Sequence, residues 1–346
     1  MANKSKAAKI AKAMKAKQME VTLFSSPDSL AHVTEYMSSG SIVLDRVLGQ
    51  GWPVGRISEV YGDTSTGKSL IAAQTAAYAQ EEGDIVFMLD SESAAGATIM
   101  EAVGVDMDEL IYSAPDTVEE VFQQMDAAIE LKRKLYPDDR MLLIWDSIAA
   151  TSSKAEMVKT PGDLGYTTHA RVISQEMRRM SREISKERIC ALFLNQIREN
   201  IGVMFGDKET TFGGKAVRFH SSIRLELKSG KKIKATIGKK QRVIGIHTRA
   251  TTTKNKVFAP FQDAELPIYF GHGIDDAEAS RLWLEEFGLA KTKKGNAWRT
   301  LELASGEIKY QANTWNAVFD KYFDEIVDLI FMDVEAIEED EPDSDN

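Results

Sequence analysis

The sequence lacks the features that mark secreted and membrane-spanning proteins. It has one cysteine, Cys190, so no internal disulfide bond can form, which fits a protein of the reducing cytoplasm. No uninterrupted apolar run is long enough to cross a membrane, and the first residues lack the apolar core of a signal peptide. Cys190 lies within an apolar stretch, 189–194, and is therefore expected to be a buried core residue rather than a nucleophile.

Charges of the two signs are unevenly distributed along the chain. The net charge is −10 at pH 7, which taken alone argues against binding to nucleic acid. Six lysines nevertheless precede the first acidic residue, Glu20, and the segment 333–346 contains eight acidic residues. With that acidic tail set aside the rest of the chain is nearly balanced, so binding to phosphate groups is not excluded.

The order of apolar and amphipathic segments predicts the fold and its divisions. A length of 346 residues predicts two or three folding units. From Ser38 onward apolar strands alternate with amphipathic helices, which predicts an α/β fold with a mostly parallel central sheet covered on both faces. Residues 222–227 and 243–252 alternate with period two, which predicts an antiparallel extension, joined to a basic hairpin through Ser229–Lys232. The predicted divisions are an N-terminal basic helix and oligomerisation arm (1–37), an α/β core (38–272), a small α+β C-terminal domain (273–334) and an acidic disordered tail (335–346).

A glycine-rich stretch lies between a predicted strand, 56–61, and a predicted Ala-rich helix, 70–79. Strand, glycine loop, Lys-Ser and helix in this order form the phosphate-binding loop pattern; a Gly/Ser/Thr turn before a helix is the alternative. The glycines let successive N–H groups converge on one anion, and the helix N-terminus adds the positive end of its dipole. ATP is therefore the predicted ligand, with Lys68 at its β- and γ-phosphates and the Ser69 hydroxyl on Mg²⁺. The residues expected to bind it are Gly62, Asp63, Thr64, Ser65, Thr66, Gly67, Lys68, Ser69 and Leu70.

Two acidic residues follow predicted buried strands. Asp146 ends the strand 141–146 and is expected to hold Mg²⁺ directly or through water; capping of the next helix is the alternative. Glu92 follows the strand 84–90, so it should lie at the carboxyl edge of the sheet beside the ligand. There it can serve as the general base that activates the attacking water, although a solvated loop acid is equally compatible with the sequence.

Two predicted loops, 157–168 and 199–214, carry apolar side chains between glycines. Such side chains are unfavourable to leave in water, so these loops are either ordered by a partner or packed on the protein itself. Arg171, Arg198 and Arg218 lie beside them in the sequence. Cations near aromatic and apolar groups suit single-stranded nucleic acid, whose bases stack and whose phosphates need positive charge.

Several motifs together resemble the RecA family of recombinases from about Ser38 to Ile274. They are Gly55–Ile57 before the phosphate loop, Trp145–Ala150, Lys154–Glu156, Asn195–Arg198, Ile201–Gly206, Glu209–Thr211, Gly213-Gly214 and Lys254-Asn255-Lys256. The resemblance implies a RecA-like P-loop NTPase core. It also implies a DNA-dependent ATPase that forms a helical filament on single-stranded DNA and carries out strand exchange with homologous double-stranded DNA.

The same resemblance implies roles for individual residues. Glu92 would be the catalytic glutamate, and Gln196 would sense the γ-phosphate at the root of the second DNA loop. Lys254 and Lys256 resemble the pair that reaches the ATP of the neighbouring subunit, completing with Lys68 the catalytic set. The residues implied to contact DNA are Tyr166, Arg171, Arg198, Ile201, Met204, Phe205, Gly213, Gly214 and Arg218.

The sequence departs from the family pattern at two site positions. Ile99 stands where bacterial members stack a tyrosine on adenine, and Tyr166 stands where an apolar wedge is expected. The segment 288–298 and the acidic end look more like the phage branch of the family, which implies a phage origin and a bacterial host cytoplasm. A single-strand-binding protein or a loading mediator is a further expected partner.

Three other functions are compatible with a phosphate loop. A hexameric helicase of the same fold would share Lys68 and Asp146 but would not need the loop 199–214 in this form. A non-catalytic recombination mediator would use ATP only for assembly, and the presence of Glu92 and Gln196 argues against it. A small-molecule kinase is disfavoured because nothing in the sequence indicates a lid or an acceptor pocket.

Overall fold

The computed structural model describes residues 6–19, 21–26, 29–30, 32–92, 96–157, 166–199, 209–292 and 297–332. It divides into two compact units, the first ending at Glu35 and the second beginning at Tyr36. In the first unit, helix α1 (Lys6–Lys15) forms where a basic helix is predicted, and none of its residues is buried. No helix within the described ranges combines the length and the apolar character that crossing a membrane would require.

The second unit is built on a large sheet that is parallel in its middle. The strands of this unit are β1 (Tyr36–Met37), β2 (Trp52–Pro53), β3 (Arg56–Gly62), β4 (Ile85–Asp90), β5 (Leu110–Ser113), β6 (Met141–Asp146), β7 (Ile189–Glu199), β8 (Glu209–Thr211), β9 (Ile223–Ile237), β10 (Lys240–Asn255), β11 (Asp263–Tyr269), β12 (Gly273–Ile274), β13 (Ala290–Thr292), β14 (Trp298–Leu303) and β15 (Gly306–Gln311). The order in the large sheet is β12-β11-β10-β9-β3-β7-β6-β4-β5, with β8 paired to β7; β1 and β2 form a separate pair, and β13 to β15 form a third sheet. The five strands from β3 to β5 in this order run parallel, β9 joins β3 in parallel, and the strands from β9 to β12 are antiparallel. The mostly parallel sheet with an antiparallel extension is thus confirmed.

Helices cover both faces of this sheet and enclose two apolar cores. Alternate residues of β7 enter opposite cores, Leu192 the first and Phe193 the second, as expected of a strand buried on both faces. Cys190 lies in the first core, where burial raises the pKa of its thiol, so the predicted core position is confirmed. The helices of this unit are α2 (Ile42–Leu48), α3 (Lys68–Glu81), α4 (Ala97–Ala102), α5 (Val118–Leu135), α6 (Lys154–Met157), α7 (Tyr166–Lys186), α8 (Gly214–His220), α9 (Asp276–Glu286), α10 (Trp315–Lys321) and α11 (Phe323–Phe331), with a 3₁₀ turn at Ala312–Thr314.

Side-chain caps fix where several of these helices begin. The Ser41 hydroxyl accepts a hydrogen bond from the Leu44 N–H and starts α2. Thr117 caps α5 through the Glu120 N–H in the same way. These local contacts satisfy backbone donors that the first helical turn leaves unpaired.

The antiparallel extension is longer than the sequence predicts. β9 and β10 pair as strands of 15 and 16 residues, so Ser229–Lys232, predicted to be a connection, lies inside β9. The register shifts opposite this segment, between Ile246 and Thr248, and a Cβ on Gly230 would lie 3.0 Å from a backbone oxygen of β10. A bulge therefore interrupts the alternation of side chains along β9, so the sequence pattern does not reveal that this strand is continuous.

The C-terminal part packs against the first core. Trp283, Trp315 and Ile330 are buried in the same apolar cluster as Ile71 of α3. The three-stranded antiparallel sheet β13-β14-β15 and helices α9 to α11 give this part the α+β composition that is predicted for it. The boundary predicted near residue 273 remains a prediction, and the acidic tail lies outside the described residues.

Candidate functional site

The segment between β3 and α3 is held by close backbone approaches that only glycine allows. Gly67 has φ +98°, a left-handed conformation, and a Cβ there would lie 2.6 Å from the Ile268 side chain. A Cβ on Gly62 would lie 2.3 Å from the carbonyl oxygen of Leu227 on the neighbouring strand β9. The two glycines therefore fix how tightly the loop can turn from strand into helix.

Two threonine hydroxyls fasten the loop between these glycines. Thr66 Oγ1 donates to the carbonyl oxygen of Asp63 at 3.0 Å, and Thr248 Oγ1 of β10 donates to the carbonyl oxygen of Thr66 at 3.1 Å. Ser65 adopts φ +61°, which is uncommon outside glycine. The antiparallel extension thus supports the loop directly, a contact that the sequence does not indicate.

Lys68 lies at the centre of this loop. Its Nζ donates to the carbonyl oxygens of Gly62 at 3.0 Å and Asp63 at 2.6 Å. Burial lowers the pKa of its ammonium, while the nearby carboxylates of Asp146, Glu92 and Asp63 oppose that shift. The position puts a desolvated cation at the centre of the loop, and its contact with nucleotide phosphates stays a prediction.

Ser69 and Asp146, the two predicted metal ligands, contact each other. Ser69 Oγ donates to Asp146 Oδ2 at 2.7 Å. The pKa of Asp146 is raised to about 6, chiefly by burial and also by the neighbouring acids Glu92 and Asp90. A hydroxyl and a carboxylate fit Mg²⁺, which prefers oxygen ligands and is usually held by few protein groups together with phosphates and water.

Glu92 and Gln196, predicted as the general base and the γ-phosphate sensor, are in direct contact. Gln196 Nε2 donates to Glu92 Oε1 at 2.9 Å. Gln196 lies opposite Gly62 in the parallel register of β3 and β7, so it lies beside the first residue of the phosphate loop. The hydrogen bond from Gln196, near the end of β7, therefore holds the Glu92 carboxylate in place.

Three residues of the site were not predicted. Ser147 Oγ donates to Glu92 Oε1 at 2.6 Å, and the Tyr112 hydroxyl donates to Asp90 Oδ2 at 3.1 Å. Asn195 lies beside Gln196 and is fully buried. The signals in the sequence are that Ser147 and Asn195 are polar residues that follow apolar runs and that both lie within motifs of the family resemblance.

Lys254 and Lys256 both contact the C-terminal end of α8. Lys254 Nζ donates to the carbonyl oxygens of Arg218 at 2.5 Å and Phe219 at 3.1 Å, and Lys256 Nζ lies 5.7 Å from the centre of the Phe219 ring. The two lysines therefore lie against the same end of one helix. The pKa of Lys254 is lowered to about 8, chiefly by burial and also by the nearby cations Lys256 and Arg224. Among the described contacts, neither lysine bonds to the phosphate loop of its own chain.

The described residues predicted to contact DNA lie around α7 and α8. Gly213 and Gly214 adopt φ +78° and +66° where β8 turns into α8, and a Cβ on Gly214 would lie 3.6 Å from Ala170 of α7. Arg171 follows Ala170 on the exposed side of α7. The ends of the two predicted DNA loops therefore meet on one surface.

Two further arginines, Arg198 and Arg218, lie on β7 and α8. The Arg198 guanidinium lies 5.7 Å from the centre of the Phe212 ring, across the β7–β8 pair. Arg218 is exposed on α8. Within the stretch 199–214, predicted entirely as loop, Glu209–Thr211 instead forms β8, because it pairs with the last residues of β7.

Some predicted site residues cannot be placed. Ile201, Met204, Phe205 and the side chain of Tyr166 lie outside the described residues. Ile99, at the position where the resemblance implies an adenine contact, lies on α4 and is 48% exposed.

The sequence matches the family model described as the RecA N-terminal domain over residues 8–275. That range contains all of the candidate site residues described above. The chain is also 38% identical over 295 residues to Protein RecA from two strains of Streptococcus pneumoniae, Hungary19A-6 and CGSP14. The matched part covers 84% of this chain and 74% of each relative.

Proposed function

The chain belongs to the RecA family of recombinases, and we propose from this that it is a DNA-dependent ATPase that forms helical filaments on single-stranded DNA. Its output would be homologous pairing and strand exchange with double-stranded DNA. The observation that carries the proposal is the hydrogen bond between Glu92 and Gln196, because it joins a potential general base to the strand that leads into a DNA-facing surface.

In the proposed reaction the phosphate loop binds ATP. Lys68 and the loop N–H groups would hold its phosphates, and Ser69 and Asp146 would hold Mg²⁺. When bound, Mg²⁺ would neutralise charge on the phosphate oxygens. Glu92 would accept a proton from the attacking water, oriented by its bonds from Ser147 and Gln196.

The stimulation by DNA follows from the position of β7 in this proposal. β7 carries Gln196 at the ATP site and Arg198 two residues later, and β8 returns beside it toward Gly213 and Gly214. DNA phosphates at Arg198 and Arg171 would fix this strand pair. Fixing the pair would hold Gln196 against Glu92, so that hydrolysis becomes sensitive to DNA.

The proposed filament supplies charge to ATP from a second subunit. Lys254 and Lys256 lie together and, among the described contacts, bond to α8 rather than to their own phosphate loop, so they are available for a neighbour's nucleotide. Two cations there would stabilise the charge that develops on the transferred phosphoryl group. Strand β5, last in the sheet with Ile111 and Tyr112 half exposed, offers an open edge of the kind that pairs with another chain.

The experiment that tests the proposal is ATP hydrolysis with and without single-stranded DNA, combined with negative-stain imaging of the same samples. We expect turnover to rise with DNA and helical filaments to form with ATP and DNA together. Rings in place of filaments would favour a hexameric helicase. Filaments without any DNA-stimulated turnover would favour a non-catalytic mediator, and a kinase would turn over only with a small-molecule acceptor.

A further inference from the structure

A buried ion pair lies beside the ATP site without touching the nucleotide residues named above. Glu59 of β3 is 0% exposed and Arg224 of β9 is 5% exposed, and the two face each other in the parallel register of these strands. Arg224 Nε donates to Glu59 Oε2 at 2.5 Å. Removing two charges from water is costly, and replacing such a pair by apolar residues of similar volume is often neutral or stabilising. Stability alone therefore does not account for this pair.

The second oxygen of Glu59 is used by the residue next to the γ-phosphate sensor. Asn195 Nδ2 donates to Glu59 Oε1 at 2.8 Å and to the carbonyl oxygen of Phe212 at 2.9 Å. The other end of the same side chain, Asn195 Oδ1, accepts from the Gln196 N–H at 2.9 Å. Asn195 thus joins Glu59 to the backbone of β7 at Gln196 and to the backbone of Phe212, the residue after β8.

Arg224 also contacts side chains of β8 and β3. Its Nη2 donates to Thr211 Oγ1 of β8 at 3.4 Å, and its guanidinium lies 4.3 Å from the centre of the Tyr61 ring. The Tyr61 hydroxyl shares a 2.8 Å hydrogen bond with Thr253, the residue before Lys254. One buried pair therefore contacts β3, β7 and β8 and reaches β10 through Tyr61.

We propose that Glu59, paired with Arg224, is a positioning residue that holds Asn195 so that Gln196 stays in contact with Glu92. The path runs through three hydrogen bonds: Asn195 Nδ2 donates to Glu59, the backbone N–H of Gln196 donates to Asn195 Oδ1, and Gln196 Nε2 donates to Glu92. The inference rests on the proposed function, because its consequence is coupling between DNA binding and ATP hydrolysis. A polar pair that only fills the core would have no such consequence.

Two double variants distinguish a positioning role of this pair from a role in filling the core alone, and neither leaves a buried charge unpaired. Glu59→Gln/Arg224→Met keeps an amide oxygen that can accept from Asn195, whereas Glu59→Leu/Arg224→Met removes that acceptor at similar volume. The first should retain most of the DNA stimulation of ATP turnover. The second should lose about tenfold or more of the stimulation ratio, since small displacements of catalytic groups reach such factors. Its affinities for ATP and single-stranded DNA should stay near those of the unmodified protein.

A third variant controls for loss of stability. Val60→Ala opens a cavity on the same strand but on the opposite core, where Val60 is fully buried. It should lower the melting temperature while keeping the DNA stimulation ratio. Equal stimulation ratios in the Leu/Met and Gln/Met proteins would overturn the proposal, as would an equal loss in Val60→Ala at matched stability.

Hydrogen exchange provides a readout that does not depend on DNA. In the Leu/Met protein the peptides covering 190–199 and 209–220 should exchange faster than in the Gln/Met protein, with other core peptides unchanged. Absence of DNA stimulation in the unmodified protein would refute the proposed function, and the exchange comparison would still decide the positioning role. Identical exchange in both double variants would refute that role.

Discussion

Replacing the potential general base, Glu92→Gln, perturbs the chemistry while leaving the geometry nearly intact. The carboxylate oxygen that matters, Oε1, accepts from Ser147 at 2.6 Å and from Gln196 at 2.9 Å. A glutamine amide oxygen can accept both bonds, so the contacts that hold the residue survive the change. What is lost is the ability to take a proton from water.

The expected loss follows from that difference. General base catalysis contributes about 10² to 10⁴ in rate, which corresponds to roughly 3 to 5 kcal/mol of activation free energy. Nucleotide binding should be unchanged because the phosphate loop and the contact between Ser69 and Asp146 are untouched. The variant should therefore form filaments that persist longer with ATP than those of the unmodified protein.

Single-turnover hydrolysis on single-stranded DNA, with a separate measurement of nucleotide affinity, tests this expectation. Glu101→Gln is a matched control, because Glu101 is an exposed acid on α4. It should hydrolyse ATP as the unmodified protein does. A Glu92→Gln rate within a few-fold of the control would refute the role of Glu92 as base. Loss of ATP binding would instead make Glu92 a structural residue.

Three further predictions concern the cations and acids around the nucleotide. Lys68→Ala should abolish productive ATP binding, because it removes the buried ammonium at the loop centre, and normal DNA-stimulated turnover would contradict the site. The pH profile of kcat/KM should fall below about pH 6, where Asp146 becomes protonated, and above about pH 8, where Lys254 loses its charge; a flat profile across this range would contradict both assignments. Lys254→Ala/Lys256→Ala should lose DNA-stimulated turnover but regain part of it when mixed with Glu92→Gln, since some mixed interfaces then combine both intact parts; no recovery at any mixing ratio would count against a shared site.

Much of the fold can be predicted from the sequence because its signals are local or periodic. Strands buried on both faces read as continuous apolar runs, such as 141–146, and these runs predict the parallel sheet. The phosphate loop is recognisable because strand, glycines, Lys-Ser and helix are contiguous. The positions of Thr248 and Ile268 against this loop cannot be predicted in the same way, because they depend on how the antiparallel extension folds back onto the loop.

The long-range polar contacts escape prediction for a physical reason. Glu59 meets Asn195 and Arg224 across 136 and 165 residues of sequence, and only the order of strands brings them together. The periodicity of an apolar strand does not indicate which distant residue will pair with a glutamate inside it. The length of β9 is hidden in a similar way by the bulge near Gly230.

The measurement that tests the central claim most directly is displacement of a labelled strand from duplex DNA by the protein on single-stranded DNA with ATP. The account predicts displacement from a homologous duplex and none from a duplex of unrelated sequence, with Lys68→Ala inactive on both. Displacement that ignores homology would indicate a translocating helicase. No displacement from the homologous duplex, with filaments present, would contradict strand exchange as the function of this chain.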